Sequence, residues 1–190
     1  RQLGFIMDNR RKLELVKEAT KRKLLTQYQT NFEQFAKQQI KIITKDASKG
    51  FVPFIFNEAQ QKVNEALEQQ LKEKGRVRAL ILKARQQGIS TFCTARTAWK
   101  SFFTPNARSV VMAHDSATSD ALFAMSKNLF DRMADEFRPK LLASNAKEIK
   151  FEHNNAGYRL YTAGSPEAGR GTTPTTVSYT HLTLPTNTVV

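Results

Sequence analysis

The sequence predicts an α/β fold: a parallel sheet flanked by helices, with a hairpin late in the chain. Three observations predict it. Short apolar runs bounded by Gly and Pro alternate with helix-period stretches through the middle of the chain. Good N-cap residues open those stretches. An Asn-Asn-Ala-Gly turn separates two alternating segments near residue 155.

The elements follow in order. "NRRKLELVKEATKRKLLTQYQTNFEQFAKQQI" places Leu13, Val16, Leu24, Leu25, Tyr28, Phe32 and Phe35 at spacings that suit a helix with one apolar stripe. Its run Lys21-Arg22-Lys23 is read first as a solvated face, and second as a DNA contact. Gly50 and Pro53 then interrupt the pattern around an apolar cluster of Phe51, Phe54, Ile55 and Phe56. Asn57 is a good N-cap for a helix that buries Val63, Ala66, Leu67 and Leu71 and ends near Gly75. Val77–Leu82 reads as a short buried strand, 83–88 as a loop, and Ser90–Phe103 as a helix stopped by Thr104-Pro105-Asn106. Ser109–Ala113 is a second strand. Ser116 or Thr118 caps a helix carrying Leu122, Met125, Leu129, Phe130 and Met133. "EIKFEHNNAGYRLYTAG" supplies the hairpin. From Gly171 the chain has no Lys, Arg, Asp or Glu, and eight of its last twenty residues are Thr.

Composition narrows the function. The 190 residues carry a net charge of +13, which favours a polyanionic partner, above all nucleic acid. The single cysteine, Cys93, excludes an internal disulfide and a multi-cysteine zinc site. No apolar run approaches the roughly 20 residues of a membrane span, and no signal peptide is evident. A cytoplasmic location is the expectation.

The chemistry is expected in "LILKARQQGISTF". A loop between a strand and a helix N-terminus presents unpaired backbone N–H groups and the positive end of a helix dipole, which suits phosphate. Gly88 permits close backbone approach. Ser90 can offer its hydroxyl to Mg²⁺. Ile89, however, stands where a nucleotide loop has its lysine. Lys83 and Arg85, at the start of the loop, are long enough to fold back and supply the missing charge. Arg85 can also act as an arginine finger in cis.

These residues resemble the deviant Walker A segment of the large terminase subunit, the DNA-packaging ATPase of tailed bacteriophages. "VPFIFNEAQQKV" resembles the adenine-recognising glutamine segment of that family. "SVVMAHDSATSDALFAM" is similar to its second strand and following helix, and "YRLYTAGSPEAGRGTTPTTV" to the stretch leading to its Walker B strand. The resemblance spans roughly residues 35 to 177. It implies a P-loop NTPase sheet of the ASCE type, truncated, behind an N-terminal helical extension. It implies ATP and Mg²⁺ as cofactors. Gln60 would contact adenine, with Gln61 as the alternative. Lys83 and Arg85 would serve the phosphates, and Gln86, Gln87, Gly88, Ile89, Ser90 and Thr91 would complete the loop, with Ser90 facing Mg²⁺. Arg170, between Gly169 and Gly171, would touch DNA or a neighbouring subunit. The implied partners are double-stranded DNA, a small terminase subunit and the capsid portal, on which such subunits form a ring in the host cytoplasm. The parent enzyme would also be an endonuclease.

The chain departs from that pattern where hydrolysis needs it. An acidic pair is expected after "GRGTTPTTV", and "SYTHLTLPTNTVV" contains no acid. Asp115 is a weaker substitute, because Ser116 follows it; His114 and Asp115 are read as the end of a strand near the site. The expected organisation is therefore a basic helical extension over 1–49, a partial ATPase domain over 50–177, and a tail over 178–190 that resembles translated sequencing adapter. Such a fragment is expected to hydrolyse ATP poorly. Two other readings stand beside it: a helicase-like P-loop translocase, and a basic nucleic-acid-binding module without catalysis.

Overall fold

The computed structural model describes residues 2–44, 46–83, 86–145, 147–163, 165 and 173–180. Helix α1 (Gln2–Thr30) runs into α2 (Phe32–Gln39), so the single helix expected here is broken in two. The break is local chemistry. Asn31 leaves helical backbone at φ −132°, and its side chain accepts the Gln34 N–H at 2.9 Å, which starts a new helix. The short antiparallel pair β1 (Lys41–Ile43) and β2 (Phe51–Pro53) follows. Helix α3 (Glu58–Lys74) opens on Asn57 and closes on Gly75, whose φ of 65° makes it a left-handed C-cap.

Helix α4 (Ile89–Phe103) leads to β3 (Arg108–Ala113), and α5 (Ser116–Asp131) follows. Asp115, rather than Ser116 or Thr118, caps α5. Its carboxylate accepts the Thr118 N–H at 2.8 Å and the Thr118 hydroxyl at 2.7 Å. The remaining strands are β4 (Leu141–Asn145), β5 (Glu148–Phe151), β6 (Gly157–Thr162) and β7 (Thr176–Tyr179). With β3 they form a five-stranded sheet in the order β4-β5-β6-β3-β7. β6, β3 and β7 are parallel; β5 is antiparallel to β6, and β4 to β5. The chain is thus α/β with a mixed sheet, an arrangement consistent with a Rossmann-like or P-loop fold. The parallel part expected is β6-β3-β7, and the late hairpin expected is the antiparallel β5–β6 pair, to which β4 adds a further antiparallel strand.

The segment 76–83 corrects a second expectation. Val77–Leu82 joins no strand, and Leu80 and Leu82 are 80% and 93% exposed. The edge of the sheet beside β3 is occupied by β7, and the segment runs along α3 instead. There the Gln70 side chain takes the place of a strand partner: its Oε1 accepts the Arg78 N–H, and its Nε2 donates to the Arg78 carbonyl at 3.1 Å. An apolar run signals burial only if a ladder partner exists.

The core lies between the sheet and the helices. α4 packs on β3 and β7, and α5 packs on β6 beside α4. Tyr158 and Leu160 of β6 point into this layer, whereas Arg159 between them is half-exposed and pairs with Glu148 at 2.9 Å. A second layer comes from the N-terminal segment. Phe32 of α2 meets Phe56, Phe92 and Trp99 at 5.2–5.5 Å between ring centroids. The Trp99 indole N–H donates to the Tyr28 carbonyl at 2.8 Å. The boundary at Lys49 therefore runs through the β1–β2 pair and through one continuous core.

Arg96 joins three helices. Its guanidinium donates to Asn64 at 2.9 Å and to Glu68 at 2.7 Å, both on α3, and lies 5.5 Å from the centroid of the Phe32 ring. Arg96→Met would keep the apolar stem and lose both bonds. The expected cost is about 1–2 kcal/mol, discounted because Glu68 is partly exposed. Urea unfolding checks this, and Arg96→Ala should cost more than Arg96→Met.

Candidate functional site

The two ends of α4 are held differently. At its C-terminus the β5–β6 turn supplies donors: Asn154 Nδ2 reaches the Ser101 and Phe102 carbonyls at 3.0 and 2.9 Å. At its N-terminus the capping residue is Gly88, at φ 68°, with no side-chain cap. Helices α2, α3 and α5 have Asn31, Asn57 and Asp115 in that role. The first-turn N–H groups of α4 are thus the ones in this group that no side chain caps, and they face the loop.

The loop is shaped by α3. Asn57 Nδ2 donates to the Gln87 carbonyl at 3.1 Å, and Gln60 Nε2 donates to the Gly88 carbonyl at 2.9 Å. A Cβ on residue 88 would lie 2.7 Å from Gln60 Nε2 and push that side chain off the loop, and the left-handed backbone at φ 68° favours glycine as well. Gln86 is also at positive φ, 63°.

Ile89 is 4% exposed and belongs to the buried set, so the residue in the lysine position turns inward and offers the site only its backbone N–H. Ser90 and Thr91 are half-buried in the first turn, and Gln86 and Gln87 are exposed. Lys83 is exposed at the other end of the loop. Burial pushes the Cys93 thiol up, against the opposing pull of Arg96 and Lys83. Arg85 and Arg170 lie outside the described residues.

Gln60 is 4% exposed and both ends of its amide are engaged. Besides the bond to Gly88, its Oε1 accepts the Asn57 N–H at 2.9 Å. Gln61 is half-buried and contacts Glu33 and Glu65, each at 3.3 Å. The signal for the engagement of Gln60 was in the sequence: Asn57 followed three residues later by Gln is a capping-box pattern.

β3 returns antiparallel along α4, so its C-terminal end lies at the same end of the sheet as the loop. His114 and Asp115 are there, 2.6 Å apart. The Asp115 carboxyl is held below its ordinary range, first by the Thr118 hydroxyl and then by the Thr118 N–H. The carboxyl ends of parallel strands are where open α/β sheets bind ligands. Among the described residues, no group of three or more His, Cys, Asp or Glu side chains could hold a metal ion, and no helix is long and apolar enough to cross a membrane. No protein-family model matches the chain, and no curated protein matches it significantly.

Proposed function

We propose that this chain binds ATP with its phosphates on the loop 83–91, and that it is part of the ATPase motor of a phage large terminase subunit, which couples ATP hydrolysis to packaging of double-stranded DNA. The observation that carries the reading is the N-terminus of α4, capped by a left-handed Gly88 and by no side chain. Four further features support it: the basic residues Lys83 and Arg85 shortly before Gly88 in the sequence, the position at the carboxyl end of parallel strands, the net charge of +13 and the terminase-like segments on either side.

The roles follow from the chemistry of the residues. The N–H groups of Gly88, Ile89 and Ser90 would hold phosphate oxygens. Lys83 and Arg85 would provide the charge that the inward Ile89 does not. The Ser90 hydroxyl would be one ligand of Mg²⁺. Mg²⁺, when bound, neutralises charge on the β- and γ-phosphates. Orienting the attacking water requires a carboxylate, and no acidic pair stands in the "GRGTTPTTVSY" stretch where the resemblance calls for one. Binding without appreciable turnover is the behaviour proposed for it. The further proposals are those of the family: a ring of subunits on the capsid portal, a small terminase subunit as partner, a nuclease activity in the parent enzyme and the host cytoplasm as its location.

The test is thermal unfolding with Mg·ATP. A ligand at a hundredfold excess over its Kd stabilises the native state by about 2.7 kcal/mol, which is a rise of about 5–10 °C for a domain of this size. An unchanged Tm at millimolar Mg·ATP would contradict the proposal and favour a nucleic-acid-binding module without nucleotide.

A further inference from the structure

Asn57 and Gln60 each use both ends of their amide. Their oxygens cap α3: Asn57 Oδ1 accepts the Gln60 N–H at 2.9 Å, and Gln60 Oε1 accepts the Asn57 N–H at 2.9 Å. Their nitrogens hold the loop, through the carbonyls of Gln87 and Gly88. A trans peptide projects its N–H opposite its carbonyl. Tying these two carbonyls to α3 therefore directs the N–H groups of Gly88 and Ile89 away from α3. A carboxylate could replace the acceptor half of this arrangement but never the donor half.

We propose that Asn57 and Gln60 are positioning residues that latch the loop to the N-terminus of α3 and set the direction of its N–H groups. Gln60 thus acts on the loop through Gly88. The consequence for a ligand rests on the phosphate reading given above; the latch itself does not.

Asn57→Asp and Gln60→Glu isolate the donor half. Asp is as good an N-cap as Asn, and Glu is a good partner in a capping box, so α3 keeps its cap. Each variant, however, sets a carboxylate oxygen against a loop carbonyl. In hydrogen exchange of the full chain without nucleotide, both should speed exchange across residues 86–92 by about tenfold while residues 62–70 exchange as in the wild type. A second measurement uses Gly88→Ala. The added methyl meets Gln60, so Gln60→Ala should partly rescue it. The double variant should depart from additivity by about tenfold in the unfolding constant.

Wild-type exchange across 86–92 in both acidic variants, or additive effects of Gln60→Ala and Gly88→Ala, would overturn the latch. Faster exchange over α3 as well would overturn it too, since the substitutions would then be acting on the cap. Titrating Mg·ATP separates the two readings. If the latch is right and the site binds phosphate, Gln60→Glu should weaken binding about tenfold at a temperature where it stays folded. If the wild type binds no ATP but the exchange pattern holds, the phosphate reading fails and the latch stands.

Discussion

Phe32→Ala is expected to destabilise the chain by about 3–5 kcal/mol, enough to leave much of it unfolded at 37 °C. Phe32 is 2% exposed and contacts three aromatic rings drawn from the β2–α3 connection and from α4. Arg96 lies over its face, so truncation also strips apolar cover from a partly buried charge. The neighbours cannot close the gap cheaply, because Phe56 and Phe92 already pack against each other at 5.2 Å. Leu13→Ala is the control: Leu13 is exposed, and its loss should stay within about 0.5 kcal/mol. Urea midpoints measure both. A loss under about 1 kcal/mol for Phe32→Ala would mean that the N-terminal helices are an appendage to the α/β unit rather than part of its core.

What was legible in the sequence was what local chemistry decides. Asn57 and Gly75 marked the ends of α3, Gly88 and Pro105 bracketed α4, and Asn154-Asn155 marked the hairpin turn. What was not legible depended on partners distant in the chain. Val77–Leu82 has the composition of a buried strand, but no local feature says whether an edge is free to receive it. β7 was hidden for the converse reason. Thr176–Tyr179 lies in a threonine-rich stretch without an apolar run, and it becomes a strand because β3 offers an open edge. It also crosses the boundary drawn at 177. In the site, Gly88 before the helix and Ser90 in its first turn could be anticipated. That Ile89 turns inward, and that Gln60 reaches across to Gly88, required the placement of α3 beside α4.

The second large effect is expected at the mouth of the loop. Ile89 is buried, so under the proposed phosphate reading the charge for a bound triphosphate is assigned to Lys83 and Arg85, the cations that precede Gly88 in the sequence. A hydrogen bond to a charged group contributes about 1.5–3 kcal/mol. Losing both cations should weaken ATP binding by about 100-fold or more, at 1.4 kcal/mol per tenfold. Stability should hardly change, since Lys83 is exposed and lies in a segment without strand pairing. Either single variant should lose less than the pair, because the remaining cation keeps part of the attraction.

The most direct measurement is isothermal titration of Mg·ATP into the wild type and into Lys83→Ala/Arg85→Ala at matched ionic strength. The account predicts binding to the wild type and a loss of about 100-fold or more in the double variant, with an unchanged Tm in the absence of nucleotide. Equal affinity in the two proteins would contradict it, because the phosphates would then be held without the cations that the loop was inferred to supply.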